Sequence, residues 1–161
     1  MIFRLLSTAT LAALTYAAPP ATDLRAPKGY TVAIEAHTVA TSVQIYTCAS
    51  GKWSGPDPDA LISGAGLTIH HYKGPTWEVT DGSIVHGSNA KHFAAPNPGA
   101  VDWLELDASG GTGRFAGVSY IHRIETSGGV APAAGCDGAH EGEQARVPYS
   151  ATYLFYVPLT R

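Results

Sequence analysis

The side chains best suited to chemistry crowd into the stretch from His70 to Ser83. There His70, His71, Tyr72, Lys73, Trp77, Glu78 and Asp81 stand beside two turn-forming pairs, Gly74-Pro75 and Asp81-Gly82. Three kinds of chemistry suit these residue types. Imidazoles and carboxylates converging from rigid elements bind zinc or copper; His71 with His86 or His92, joined by Glu78 or Asp81, is the available set. Two carboxylates roughly 5–10 Å apart across a cleft hydrolyse glycosides; Glu78 with Asp81, and Glu105 with Asp107, are the available pairs. Aromatic faces beside polar groups and turns, as at Trp53, Tyr72, Trp77 and Trp103, stack on sugar rings or wall a small-molecule pocket.

Spacing favours the third kind. His70 and His71 are adjacent, and adjacent residues of a strand point to opposite faces, so at most one serves a given site. The chain has no His-x-His, no His-Glu-x-x-His and no Gly-x-Ser-x-Gly. Gly111-Thr112-Gly113-Arg114-Phe115-Ala116 has the outline of a dinucleotide fingerprint. That fingerprint must open a helix whose N-terminus takes the pyrophosphate, and the run that follows, Gly117-Val118-Ser119-Tyr120-Ile121, forms strand instead. The expectation is a binding site built from His71, Tyr72, Trp77, Glu78, Asp81 and Trp103 for a small molecule or a carbohydrate. A hydrolase or metal-dependent enzyme using Glu78, Asp81 and His71 is the alternative. A purely structural hairpin, locked by Trp77 and Asp81, is the third reading. No catalytic residue, metal or cofactor is assigned.

The elements that position these residues read as strands. Tyr30, Val32, Ile34 and Ala36 alternate along one face, and Val43, Ile45 and Thr47 alternate with Gln44, Tyr46 and Cys48 in a strand apolar on both faces. The prolines of Lys52-Trp53-Ser54-Gly55-Pro56-Asp57-Pro58-Asp59 predict a turn region rather than a central strand, with Asp59 capping a short helical turn over Ala60-Leu61-Ile62. Leu67, Ile69 and His71 oppose Thr68, His70 and Tyr72. Asp81-Gly82 predicts a two-residue hairpin joining residues 76–79 to 83–86. Leu104 and Leu106 share a face opposite Trp103, Glu105 and Asp107. Residues 115–126 read as one long strand in which Arg123, if buried, needs a carboxylate such as Glu105 or Asp81. Tyr149, Ala151, Tyr153, Phe155 and Val157 share the buried face of the last strand. No mature window shows a helical period, so the fold class is all-β: a single-domain antiparallel β-sandwich or barrel with Gly/Pro-rich loops and one disulfide.

The whole chain of 161 residues is 45% hydrophobic and 14% charged with a net charge of −3, which supports a packed core and argues against nucleic acid as a partner. Residues 1–17 read as a secretory signal: Arg4 supplies the positive start, residues 5–14 are mostly apolar or small, and Thr15-Tyr16-Ala17 offers a small-residue cleavage site. The apolar run is shorter than the roughly 20 residues of a membrane span. Residues 18–29 form an extended lead-in and residues 30–161 one β domain. Two cysteines in a secreted chain, Cys48 and Cys136, pair as a disulfide. A secreted, extracellular or cell-wall-associated protein follows.

Ordered blocks along the chain also resemble a known family. They include Tyr46-Thr47-Cys48, His71-Tyr72-Lys73-Gly74-Pro75-Thr76-Trp77-Glu78, Asp81-Gly82-Ser83, Ile121-His122-Arg123, Gly135-Cys136-Asp137 and the run from Val147 to Tyr153. Together these are similar to the secreted fungal and bacterial domain-of-unknown-function family 3455. The resemblance implies a secreted, mainly β, single-domain protein and carries no assigned activity. Some fungal relatives bear the label malate dehydrogenase; this chain has no nucleotide-binding βαβ unit to support one.

Overall fold

The computed structural model describes residues 24–160, so the expected signal segment lies outside the described residues. Nine antiparallel strands follow one another: β1 Tyr30–Thr38, β2 Val43–Ala49, β3 Lys52–Gly64, β4 Leu67–Tyr72, β5 Thr76–Val79, β6 Ile84–Phe93, β7 Trp103–Ser109, β8 Tyr120–Gly128 and β9 Gln144–Pro158. A single turn of 3₁₀ helix, Gly113–Phe115, interrupts the β7–β8 connection. Among the described residues no helix is long and apolar enough to cross a membrane.

The sheet order is β1-β3-β2-β9-β8-β7-β6-β5-β4, with β1 also paired to β9 and β3 also paired to β4. Those two extra pairings close the circuit, so the structure is a barrel rather than a sandwich, and closure removes the free edges an open sheet leaves. β1 and β2 share one place in the ring. Both lie between β3 and β9: β1 pairs with residues 152–158 of β9, and β2 with residues 144–148. The turn between them lets a short chain cover two long strands end to end.

Alternation along the strands sets inside and outside. On β9, Tyr149, Ala151, Tyr153 and Phe155 are buried, and they pack against Ile62, Ile69, Trp77, Val85, Leu106 and Ile121 from around the ring. One end of the barrel is plugged by Phe115 and Val118 of the β7–β8 connection. The Phe115 ring packs against Phe155 with centroids 5.1 Å apart and planes tilted by 39°. Near that end β1 and β3 approach so closely that a methyl group on Gly64 would sit 2.2 Å from the Glu35 carbonyl oxygen. At the opposite end, Cys48 of β2 is bonded to Cys136, tethering the long β8–β9 connection to the barrel wall across a separation of 88 residues.

Four local expectations are corrected. The Pro56-Pro58 segment is not a turn but the first half of β3, paired to β2 through Asp57↔Ile45 and Pro58↔Gln44. Its other side meets β4 only from Asp59 onward, and the register slips beside Pro56. The prolines thus occupy an edge and a bulge, the two places where a missing N–H costs no ladder bond. Ala60, Leu61 and Ile62 are strand, not a helical turn, because β4 pairs with all three. The long strand of residues 115–126 begins only at Tyr120, since Phe115 turns inward to close the barrel. The Asp81-Gly82 hairpin has a three-residue loop. Gly82 donates to the Val79 carbonyl at 2.9 Å, Val79 pairs with Ser83, and Gly82 takes φ 85°, the glycine position of a turn-plus-bulge hairpin.

Candidate functional site

At the end opposite the plug the barrel opens into a cavity of about 470 Å³, within the range of small-molecule sites. Its depth comes from inward-facing strand residues and its rim from three connections: Gly74-Pro75 between β4 and β5, Ala100–Asp102 before β7, and Val130-Ala131 after β8. The disulfide holds the last of these in place. The walls are largely apolar, with Tyr46, Leu104, Leu106, Val101, Pro56 and Pro58 contributing.

The interior also carries polar groups. His71 and Trp77 are cross-strand partners on β4 and β5. Their rings stack at 4.2 Å with an interplanar angle of 3°, and Tyr153 meets both edge-on. His71 Nδ1 donates to the Thr76 carbonyl at 2.9 Å. A carbonyl only accepts, so the proton is on Nδ1 and Nε2 keeps its lone pair. Burial pushes the His71 pKa down to about 3, and the Arg123 charge adds to the effect, so this imidazole is neutral at any ordinary pH.

Arg123 projects from β8 into the same cavity and is 7% exposed. Its Nε and Nη2 donate to the main-chain carbonyl of Asp102 at 3.2 and 2.8 Å. The carboxylate expected beside it is absent: Glu105 takes Lys91 at 2.6 Å and lies 3.3 Å from His122, while Asp81 takes Arg114 at 3.3 Å. Both acids project away from the interior, on the opposite face or at the opposite end. Gln44, from β2, is wholly buried in the cavity wall, and neither its amide nitrogen nor its amide oxygen has a hydrogen-bond partner among the described residues. The Trp77 indole N–H is likewise buried and unpartnered. Tyr46 is better satisfied: its hydroxyl donates to the Gly129 carbonyl at 2.7 Å, and burial raises its pKa.

Of the six residues expected at a binding site, the structure brings two together in the cavity, His71 and Trp77. Tyr72 and Glu78 lie on the outer face of the same hairpin, where the Tyr72 hydroxyl donates to Glu78 at 2.8 Å and this bond raises the tyrosine pKa. Asp81 sits at the plugged end, accepting from the Ser83 amide at 2.9 Å and pairing with Arg114, with its carboxyl held below the usual range chiefly by the bonds to Ser83. Trp103 pairs with Phe93 on the rim side of β7 and does not line the cavity. His71, Glu78 and Asp81 therefore do not converge, so the set named for a hydrolase or metal enzyme is not assembled. Among the described residues no three His, Cys, Asp or Glu side chains gather as a metal site requires.

Gln44, Tyr46, Arg123 and Tyr153 complete the interior; the sequence reading places them on strands, with Tyr153 on a buried face and Arg123 in need of a partner if buried, but assigns none of them to a binding site. A signal for them existed. Gln44 and Tyr46 share a strand face with Cys48, which a disulfide brings inside, and Arg123 shares a face with Ile121.

The profile of a family described as proteins of unknown function (DUF3455) matches residues 58–157, which spans β3 through β9. No curated protein and no solved structure matches the chain.

Proposed function

Since the chain belongs to the DUF3455 family, whose description assigns no activity, the cavity has to supply the reading, and we propose that the protein is a secreted small-molecule-binding protein whose ligand enters the open end of the barrel. The observation that carries this is the cavity of about 470 Å³, mainly apolar, with His71, Arg123 and Gln44 in its wall. A predominantly apolar concavity with a few convergent polar groups is the usual form of a ligand site, and a barrel of about eight strands encloses room for one small ligand. A cavity of this volume between the strands suits a small molecule better than a polysaccharide, which needs an open cleft or an exposed aromatic platform. Secretion to an oxidising compartment is supported by the Cys48–Cys136 bond.

The test uses a neutral solvatochromic naphthalene dye such as prodan. The expected result is saturable one-to-one binding with a blue-shifted emission. Ala90→Trp and Ala131→Trp, which add bulk at the rim, should weaken binding at least tenfold with unchanged melting. Absence of saturable binding, or equal affinity in both rim variants, would remove the cavity from consideration.

A further inference from the structure

Among the described residues no carboxylate forms an ion pair with Arg123. The paired cations of the described surface go to carboxylates: Lys73 to Asp57, Lys91 to Glu105, Arg114 to Asp81 and Arg146 to Asp59. Arg123 is more buried than any of them, yet its hydrogen-bond partners among the described residues are neutral: the Asp102 carbonyl and the Tyr153 hydroxyl. The groups whose ionisation it perturbs are the neutral side chains Tyr46, His71, Tyr149 and Tyr153. A buried guanidinium without an anion is costly, because its desolvation is not repaid by a counter-charge. Guanidinium has five N–H groups in a planar fork suited to a carboxylate, and the two bonds to Asp102 leave others uncommitted.

Two acids do line the cavity, Asp57 and Asp102, and both are occupied at the rim: Asp57 by Lys73 at 2.9 Å and Asp102 by His92 at 3.1 Å. Below that rim lie Arg123, the unpartnered Gln44 amide and the unpartnered Trp77 indole N–H, all set among apolar and aromatic walls. The cavity has room for about 16 waters at roughly 30 Å³ each, enough for a ligand with one or two rings.

Resting on the cavity reading above, we infer that the ligand is a monocarboxylate with a flat apolar body, its carboxylate bound to Arg123 and its body lodged against the Trp77–Tyr153 side of the barrel. The shared charge-assisted bond orients the ligand, and the apolar wall supplies most of its burial. Gln44, turning its amide toward the ligand, gains a partner that it lacks in the empty barrel.

The experiment is calorimetric titration of the wild-type protein at neutral pH with three probes of one shape: 2-naphthoate, 2-naphthamide and 2-naphthylmethylammonium. The expected result is naphthoate binding at least tenfold tighter than the amide, with the ammonium weakest, and the preference falling with added salt. Arg123→Met should erase the preference for naphthoate, and Arg123→Lys should retain part of it. Equal affinity for naphthoate and naphthamide would overturn the carboxylate assignment while leaving the cavity a binding site. So would failure of all three probes in a protein that still binds the neutral dye. Failure of the dye and of all three probes would overturn both. The wild-type probe series decides the matter even if the Arg123 variants do not fold.

Discussion

Replacing Gln44 by Met should make the protein more stable, and the size of the gain follows from the site. Gln44 is completely buried and neither of its amide atoms has a protein hydrogen-bond partner among the described residues. An unsatisfied buried amide costs about 1–3 kcal/mol, whereas an apolar side chain of the same length carries no such cost. Met is unbranched and close in volume, so repacking against Gly129, which borders Gln44, should be small. With an unfolding entropy of about 2.1 cal/mol/K per residue, the 137 described residues (24 through 160) correspond to roughly 0.3 kcal/mol/K, so the gain appears as a rise in Tm of about 3–10 °C. Urea denaturation should show a higher midpoint with an unchanged slope. The same substitution should weaken naphthamide or naphthoate binding about two- to tenfold, the worth of one hydrogen bond. A protein that is steadier when empty and poorer at binding is one in which the residue is kept for its ligand. A Gln44→Met variant less stable than wild type by 1 kcal/mol or more would show that the amide is held structurally, and would refute the reasoning.

Acid should weaken the fold in a window set by His71. Its folded pKa of about 3 lies below the unfolded value of 6.5, so the unfolded chain binds the extra proton and stability falls as pH drops below 6.5. Between pH 6.5 and 4.5 the loss from this residue is about 2–3 kcal/mol, at 1.36 kcal/mol per unit. His122, also depressed by burial, acts in the same direction. A folded-state NMR titration placing the His71 midpoint above 6 would defeat this. Removing the disulfide by replacing Cys48 and Cys136 with Ser should cost about 4–5 kcal/mol by the loop-entropy relation for a separation of 88 residues, read as a fall in urea midpoint; no change would mean the unfolded chain is not loosened. Gly64→Ala should cost about 1–3 kcal/mol, since the new methyl meets main-chain atoms of Glu35 and Ala36 that cannot move without parting β1 from β3, and a melting temperature equal to wild type would contradict that contact.

Strand alternation makes much of this barrel legible in the sequence. The β9 face of Tyr149, Ala151, Tyr153 and Phe155, the Leu104–Leu106 face and the Cys48–Cys136 pairing all appear where period two and an even cysteine count place them. Closure was not legible. It depends on which distant strands meet: β3–β4 is a local hairpin over Ala65-Gly66, but the β1–β9 and β2–β9 pairings join the two ends of the chain and leave no local mark. The Pro56-Pro58 strand was missed because a proline reports only that one backbone donor is missing. Whether that donor faces a partner or a bulge is a tertiary fact. Phe115 was drawn into the wrong element for a similar reason: burial of a plug residue outweighed its strand propensity.

The site was legible only by half, and the reason lies in the same alternation. The density of functional types between His70 and Ser83 drew attention to a segment whose residues necessarily diverge: His71 and Trp77 go inward, Tyr72 and Glu78 outward, Asp81 to the far end. Linear clustering in a strand region is thus a poor guide to a site, because half of every strand faces away from it. What does point to the interior is a polar residue sharing a face with residues that must be buried. Gln44 lies on the face of Tyr46 and Cys48, and Arg123 on that of Ile121. Such a residue either finds a partner across the barrel or waits for one from solution. His71 finds Thr76, Tyr46 finds Gly129, and Gln44 finds none. Arg123 finds a main-chain carbonyl and a hydroxyl but no counter-charge. The two unmet demands, for a hydrogen-bond partner and for an anion, fall within one cavity. A carboxylate that satisfied both would regain free energy the empty barrel forgoes, which makes the interior selective as well as accommodating.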